Sequence, residues 1–222
     1  MTPLIDATEM YLRTVWELEE EGITPIRARL VERLGVSAPA VSETVAKLVD
    51  EGLLRIGADR TLSLTDEGNR IALSVMRKHR LAERLLTDVI GVPWEASHNE
   101  ACRWEHVISD DVEGYIENLL GHPATCPHGN PIPARGDVAE RERLHTAAEA
   151  AKEELRVAVA RLSELVQADT DLMGTLREGG IVPGAVVSLR TEGGAVLAET
   201  DDGVVELPAK AADLVYVVPH EG

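Results

Sequence analysis

The 222-residue chain contains no phenylalanine, so Leu, Val, Ile and the three Trp must build its core. Only two cysteines occur, Cys102 and Cys126. No signal peptide is evident at the N-terminus, and no stretch approaches the roughly 18 apolar residues of a membrane span. We therefore expect a cytoplasmic protein with reduced thiols and no membrane partner. In that compartment a cysteine beside His and Glu serves more often as a ligand or catalyst than in a disulfide.

Positive charge is also scarce, because 22 Lys and Arg stand against 39 Asp and Glu, giving a formal net charge of −17. This balance argues against indiscriminate nucleic-acid binding, since attraction to phosphates scales with the number of cationic contacts. The segment 22–62 departs from the rest, with six basic and five acidic side chains. That segment does not share the excess of acidic side chains found in the rest of the chain, although charge alone does not identify a DNA-binding region.

Residues 6–64 carry the pattern of a winged helix-turn-helix. N-cap and glycine signals divide the segment into three short helices. Two short apolar runs, joined by a turn that contains Gly, then predict a two-stranded hairpin. Two helices separated by a Gly-containing turn and followed by such a hairpin are typical of this domain. The expected bounds are 6–21, 26–34 and 38–50 for the helices, and 53–56 and 61–64 for the strands.

Beyond the hairpin, two long amphipathic segments predict helices over 65–90 and 97–120. Both carry enough apolar positions to pack on each other and on a second subunit. From residue 155 the character changes to β, and five short segments with Gly-rich turns predict a small barrel. The expected strands are 155–162, 185–189, 195–200, 204–207 and 214–218, with one short helix over 170–178.

Two groups of potential metal ligands lie in the helical part. Cys102, Glu105 and His106 are three and four positions apart, so a helix would bring a thiol, a carboxylate and an imidazole to one face. His79 and Glu83 form a second pair at helical spacing, with His98 on the following segment. Spacing alone leaves two interpretations open for each group: a metal site, or an ordinary helix face with an inert buried thiol.

Four sequence runs, taken together, are specific to one family. They are residues 9–14 (EMYLRT), 76–86 (MRKHRLAERLL), 100–107 (EACRWEHV) and 130–133 (NPIP). In these runs the chain resembles the diphtheria toxin repressor family of iron-dependent regulators, in register through residues 1–133 and more weakly beyond. The resemblance implies a mainly α fold with a small β part. Its parts would be a winged helix-turn-helix DNA-binding domain (1–72), a metal-binding and dimerisation domain (73–137), a linker (138–154) and an SH3-like β-barrel (155–222).

The resemblance also implies two divalent-metal sites in each subunit. The regulatory site would consist of Met10, Cys102, Glu105 and His106. The ancillary site would consist of His79, Glu83, His98, Glu164 and Gln167. An anion beside the ancillary site would be held by Arg80 and Asn130, and the family usually has serine where this chain has Cys126.

The donor set of the regulatory site bears on the choice of metal. A thioether, a thiolate, a carboxylate and an imidazole favour late first-row divalent ions over Mg²⁺ and Ca²⁺. Affinity in vitro should favour Co²⁺ or Ni²⁺ over Fe²⁺, so availability would select Fe²⁺ in the cell. Manganese sensors of the family tend to replace sulfur ligands with carboxylates. Met10 and Cys102 therefore favour Fe²⁺, with Mn²⁺ as the alternative.

Several positions match the DNA-facing residues of the family. Three arginines among them would hold phosphates, and Ser37 and Pro39 would touch base edges. The matching positions are Arg27, Ala28, Arg29, Ser37, Pro39, Ala40, Ser42, Glu43, Thr44, Lys47 and Arg60.

Three positions of the DNA-reading region depart from the family pattern. Glu43 stands where the family usually has Gln, Ala40 where it has Thr, and Asp50 where it often has Arg. A Gln can read adenine with two hydrogen bonds, whereas a Glu can only accept, most naturally from cytosine N4. We therefore expect an operator that differs from the usual site of the family.

These features predict a metal-dependent transcriptional repressor of metal-homeostasis genes, and not an enzyme. Fe²⁺ would act as co-repressor and order a homodimer on double-stranded operator DNA, where half-sites one helical turn apart accept a narrow range of head separations. One or two dimers per operator are both open. The alternatives are a metallohydrolase, which would need an open ligand position and a general base, and a winged-helix regulator that answers a small organic effector.

Overall fold

The computed structural model describes residues 6–134, 144–200 and 203–220. The chain forms two compact units: the first comprises Met1–Ala82, Ala101–Gly121 and Ile132–Arg141, and the second comprises Glu83–Glu100, His122–Pro131 and Glu142–Gly222. The four-part division expected from the sequence stays a prediction. Residues 138–143 of its linker lie outside the described residues.

The first unit begins with the predicted winged helix-turn-helix. Its elements are α1 (Ala7–Glu20), α2 (Arg27–Leu34), α3 (Ala38–Asp50), β1 (Leu54–Ile56) and β2 (Leu62–Leu64). The carboxylate of Asp6 caps α1 by accepting from the Thr8 N–H at 2.8 Å, as expected of an N-cap. Gly35 ends α2 in the left-handed conformation at φ 65°, where glycine has no steric cost. The two strands pair antiparallel.

Aliphatic side chains and Trp16 form the core of this domain. The helix α1 contributes a buried stripe, and α3 contributes its inward face at i, i+4 and i+7, which is the spacing of an amphipathic helix. Burial of this face leaves the opposite face of α3 in solvent. The buried core side chains are Leu12, Val15, Trp16, Leu18, Leu30, Val41, Val45, Leu48, Leu54 and Leu62.

The long helices differ from the prediction in two places. The helix α4 (Asp66–Arg84) continues as a π-helical segment over Leu85–Ile90, so its predicted end is confirmed but its hydrogen bonding changes. The single helix expected over 97–120 is wrong, because the structure has α5 (Ser97–Trp104) and α6 (Asp110–Leu119). Ser109 caps α6 by accepting from the Val112 N–H, and this start signal inside the expected helix was missed.

The second unit contains an antiparallel sheet of six strands, in the order β3-β8-β4-β5-β6-β7. All five predicted strands are present, and β3 adds a sixth within the expected linker. No helix in the described part of the chain is long and apolar enough to cross a membrane. The elements are β3 (His145–Thr146), α7 (Ala147–Lys152), β4 (Arg156–Leu162), α8 (Glu164–Gln167), α9 (Thr170–Glu178), β5 (Val186–Glu192), β6 (Ala195–Thr200), β7 (Gly203–Leu207), α10 (Ala209–Ala212) and β8 (Val215–Pro219).

A breaker-rich loop, residues 126–130, packs along β4 within the second unit. The Leu162 N–H donates to the His128 carbonyl at 3.0 Å, which ties the loop to the end of the strand. Gly129 has φ +86°, and a Cβ at this position would collide with the carbonyl oxygen of Ala160. The glycine therefore permits the close approach that holds the side chains on either side of it in place.

Candidate metal centres

The regulatory residues come from two elements of the first unit. Met10 lies on α1, and Cys102 lies in the last turn of α5. Glu105 and His106 follow the end of that helix, so the expectation that all three lie within a helix is wrong. The Glu105 N–H still donates to the Ala101 carbonyl at 3.0 Å. Because this bond continues the helical pattern for one more residue, Glu105 still follows Cys102 at helical spacing.

The imidazole of His106 is oriented through both of its nitrogens. Nδ1 lies 2.6 Å from Oε2 of Glu9, and Nε2 lies 3.2 Å from Sδ of Met10 and 3.2 Å from Oε1 of Glu105. A carboxylate that accepts from one ring nitrogen leaves the other to face the ligand cluster, the usual arrangement around a metal-binding histidine. Glu9 was missed from the sequence as a residue of this site.

Glu105 is buried among cationic partners. Nη1 of Arg13 lies 2.6 Å from Oε1 and 2.7 Å from Oε2, and Nδ1 of His79 lies 2.6 Å from Oε2. Burial favours the neutral acid, but Arg13 and His79 outweigh it and hold the pKa of Glu105 well below its usual range. Burial likewise opposes charge on His106, but hydrogen bonds to Glu105 and Glu9 raise its pKa to about 9. The carboxylate is therefore in the ionised form that a cation needs.

A divalent transition ion fits this donor set. Nε2 of His106 is close to the thioether of Met10 and to the ionised carboxylate of Glu105. The thiol of Cys102 and the same carboxylate both lie against Nη1 of Arg13. The mixture of soft and hard donors suits late first-row ions and disfavours Mg²⁺ and Ca²⁺.

The second unit brings together three of the five residues expected at the ancillary site. Nδ1 of His98 lies 3.2 Å from Oε1 of Glu83 and 3.2 Å from Oε2 of Glu164. Gln167 follows Glu164 by three positions on α8 and donates through Nε2 to the Leu162 carbonyl at 2.8 Å. Its Oε1 is buried and finds no hydrogen-bond partner among the described residues. The fifth residue, His79, precedes Glu83 by one helical turn on α4.

Two loop residues to which the sequence assigned no role also join this cluster. The thiol of Cys126 and the imidazole of His128 lie with the Glu83 carboxylate in a group whose ligand atoms are within 4.8 Å of one another. Nδ1 of His128 is 3.3 Å from Oε1 of Glu83, while Nε2 is 3.1 Å from the Trp94 carbonyl. Donation from Nε2 leaves a lone pair on Nδ1, facing the carboxylate.

The spacing Cys-Pro-His was the one available signal for these two residues. It stands in a loop rich in Pro and Gly, where the spacing of two residues does not predict whether their side chains point to the same side. Both side chains are buried in the structure, at 1% and 0% exposure. The donor atoms of the cluster, two carboxylates, two imidazoles, a thiol and an amide oxygen, fit a divalent transition ion.

Arg80 and Asn130, the residues expected to hold an anion, are already engaged. Nη1 and Nη2 of Arg80 lie 3.0 and 2.7 Å from the two carboxylate oxygens of Glu20, and its guanidinium stacks 5.1 Å above the Trp16 ring centroid. Asn130 donates to the Leu162 carbonyl at 2.8 Å. The anion site stays a prediction.

Most of the positions expected to face DNA are exposed, apart from half-buried Arg27 and Thr44. Side chains of α3 and its cap that were expected to reach DNA are exposed, apart from half-buried Thr44. Arg60 occupies the tip of the hairpin with φ 68°, and its side chain is exposed. Arg29 forms an exposed ion pair with Glu32 at 2.8 Å, which a phosphate could replace at little cost because such pairs are weak. The exposed residues are Ala28, Arg29, Ser37, Pro39, Ala40, Ser42, Glu43, Lys47 and Arg60.

Family models match three consecutive parts of the chain. Residues 3–62 match the iron dependent repressor N-terminal DNA binding domain. Residues 65–134 match the iron dependent repressor metal binding and dimerisation domain. Residues 145–218 match the diphtheria toxin repressor SH3 domain.

Relatives match over nearly the whole chain. The iron-dependent repressor IdeR of Mycobacterium tuberculosis is 48% identical, over 98% of this chain and 99% of that protein. The diphtheria toxin repressor of Corynebacterium diphtheriae is 42% identical, over 93% and 94%. A solved structure of a manganese-dependent transcriptional repressor in complex with manganese superimposes with a TM-score of 0.84 at 30% identity, over 96% of this chain and 100% of that one. The chain therefore belongs to the diphtheria toxin repressor family of metal-dependent transcriptional repressors.

Proposed function

We propose that this protein is an Fe²⁺-responsive repressor, in which the regulatory residues Met10, Cys102, Glu105 and His106 hold the sensed ion. The observation that carries the proposal is the contact of His106 Nε2 with Met10 on α1 and with Glu105 beyond the end of α5. A divalent ion bound there would add a direct cross-link to the ion pairs and hydrogen bonds that already join these two elements. Helix α1 precedes the helix-turn-helix, so its position bears on α3.

The choice of Fe²⁺ rests on the two sulfur donors. The thioether of Met10 and the thiol of Cys102 are soft ligands, and a site built for Mn²⁺ would favour oxygen donors in their place. The runner-up is a Mn²⁺-responsive repressor, which the manganese named in the solved relative supports. Co²⁺ and Ni²⁺ should substitute in vitro because they bind mixed nitrogen and sulfur sites at least as tightly as Fe²⁺.

A homodimer is the form that would bind double-stranded operator DNA. The helix α6 leaves Val112, Tyr115 and Leu119 at 47, 75 and 65% exposure, and their spacing puts them on one face. Large apolar side chains grouped in this way support a subunit interface, in agreement with the dimerisation domain that the family model describes. We expect one or two dimers per operator, which analytical ultracentrifugation on a defined duplex would distinguish.

The ancillary site would hold a second ion in each subunit. We propose His79, Glu83, His98, Glu164 and Gln167 as its residues, with Cys126 and His128 within reach of the same ion. The buried Oε1 of Gln167 supports this site, since an oxygen without a hydrogen-bond partner among the described residues is costly unless something binds it.

The test of the proposed function is operator binding by fluorescence anisotropy, first in chelator and then with anaerobic Fe²⁺ or Mn²⁺ titrated in. Tight binding that appears only with metal supports a co-repressor, and the ion that acts at cellular concentrations names the signal. Equal binding with and without metal would overturn the proposal and favour a small-molecule effector.

The operator sequence has its own test. The exposed Glu43 can only accept from a base, so we expect the selected operator to differ from that of family members with Gln. Selection from random duplexes, run in parallel with Glu43→Gln, measures this. The Gln variant should recover the usual site of the family, and identical sites for both proteins would contradict the expectation.

A further inference from the structure

The guanidinium of Arg13 lies among the regulatory ligands. It sits on α1, one helical turn after Glu9 and Met10, and only 4% of the residue is exposed. Its Nε donates to Oε1 of Glu17 at 2.6 Å within the same helix. A buried arginine must have acceptors to offset the loss of water, and the acceptors of Arg13 include two of the proposed ligands.

The contacts of Arg13 coincide with the atoms that a metal would need. A single nitrogen, Nη1, lies 2.6 and 2.7 Å from the two carboxylate oxygens of Glu105. The same nitrogen lies 3.5 Å from Sγ of Cys102. One positive group therefore contacts the thiol and both oxygens of the carboxylate.

We propose that Arg13 is an internal cation that competes with the regulatory metal for Glu105 and Cys102, and so raises the metal concentration at which the site fills. The inference rests on the proposed regulatory site and adds a residue that sets its threshold. In the metal-free protein the guanidinium neutralises a carboxylate that is fully removed from water.

Two positive groups cannot share these donors without cost. A transition ion binds sulfur at about 2.3 Å and carboxylate oxygen at about 2.0–2.2 Å, so it would lie close to Nη1 while the present contacts persist. Repulsion at such separations is strong where water is excluded. Nε of Arg13 also contacts the carboxylate of Glu17. This contact would hold the guanidinium against α1 when a metal ion takes Glu105 and Cys102.

The test is Co²⁺ binding by full-length Arg13→Met, which keeps a long apolar side chain and removes the charge. Both it and the parent carry Cys126→Ser, so that the thiolate-to-cobalt absorption band reports Cys102 alone. We expect the Kd for Co²⁺ read from this band to fall by about tenfold or more, within the range over which groups around ligands tune metal affinity. In chelator the Tm of the variant should fall, because Glu105 loses its counter-charge, and Co²⁺ should raise it by more than in the parent.

Arg33→Met is the matched control. Arg33 also forms an ion pair in the first unit, with Glu21, and lies on α2, which supplies no proposed ligand; its variant should leave the Kd for Co²⁺ unchanged. Arg13→Lys, with a shorter and more compact cation, decides the matter if Arg13→Met does not fold, and should also lower the Kd. An equal or higher Kd in a folded Arg13 variant would overturn the competition while leaving the metal site intact. A parent that shows no thiolate band at any Co²⁺ concentration would overturn the regulatory site and this inference with it.

Discussion

The regulatory and ancillary clusters use similar ligands but are constructed differently. The regulatory cluster takes three donors from five consecutive residues. Met10 and Cys102 are half-buried, whereas the side chains of Glu105 and His106 are at most 2% exposed. The ancillary cluster draws on α4, α5, α8 and the 126–130 loop, and all of its residues in the second unit are at most 4% exposed. The sulfur-bearing residues of the first cluster are therefore partly accessible to solvent, whereas the second cluster is part of a packed interior.

This difference suggests a division of labour. An ion that reports a changing concentration must enter and leave, which the half-buried Met10 and Cys102 permit. An ion in the buried cluster would act more as a permanent structural element, because its release would leave Oε1 of Gln167 buried with no hydrogen-bond partner among the described residues. Variants in the two clusters should therefore differ in kind and not only in size.

The largest expected effect comes from Met10→Ala. Operator affinity at metal concentrations that saturate the parent should fall by roughly 100-fold or more, since a decisive population shift needs several kcal/mol of differential binding. Fluorescence anisotropy measures this. Met10→Leu is the control, because it preserves apolar volume but has no lone pair. Full operator binding by the leucine variant would show that Met10 acts by packing and not as a ligand.

Glu164→Ala should have a smaller effect on DNA binding and a larger one on metal content. We expect bound metal to fall from two ions to one per subunit, with the operator midpoint shifted by less than about tenfold, as for loss of a group that supports another site. Calorimetric titration and elemental analysis give the stoichiometry. Retention of two ions, together with loss of operator binding, would reverse the roles assigned to the two clusters.

The contrast also explains what the sequence could predict. Cys102, Glu105 and His106 were found from helical spacing, because local geometry alone brings them together. The helix in fact ends at Trp104, yet one further hydrogen bond preserves the arrangement. The winged helix was equally accessible, since its caps and turn glycines, such as Ser37 and Gly35, act over a few residues.

Residues brought together by tertiary structure were not accessible in this way. Cys126 and His128 lie in an irregular loop, and only packing of Gly129 against β4 fixes where they point. Arg13 carries no spacing signal toward Glu105, which is 92 positions away. Family resemblance supplied Glu164 and Gln167, but it did not supply Cys126, where the family usually has serine.

Cys126→Ser sharpens the comparison within the ancillary cluster. Removing the soft donor should weaken Zn²⁺ binding there by about tenfold or more, the scale on which groups at a metal site tune affinity. Mn²⁺ binding should change less, because Mn²⁺ prefers oxygen donors. Competition titrations in the Cys102→Ala background isolate this cluster. Equal loss for both ions would argue that Cys126 only packs, and no loss for either would exclude it as a ligand.

The smallest expected effect belongs to Glu9→Gln, which tests how His106 is oriented in the regulatory cluster. Glu9 contacts the proposed ligand His106 at Nδ1, at 2.6 Å, and not at the Nε2 that faces Met10 and Glu105. The amide keeps the size and an acceptor while removing the charge, so Co²⁺ affinity should fall by less than about tenfold, below the usual range for such partners. The thiolate band of Cys102 should persist at saturation, because the ligands themselves are intact. Glu19→Gln on the same helix is the control for general loss of negative charge. If both variants weakened Co²⁺ binding equally, the orientation of His106 by Glu9 would carry no special weight, and only the net charge of α1 would matter to the site.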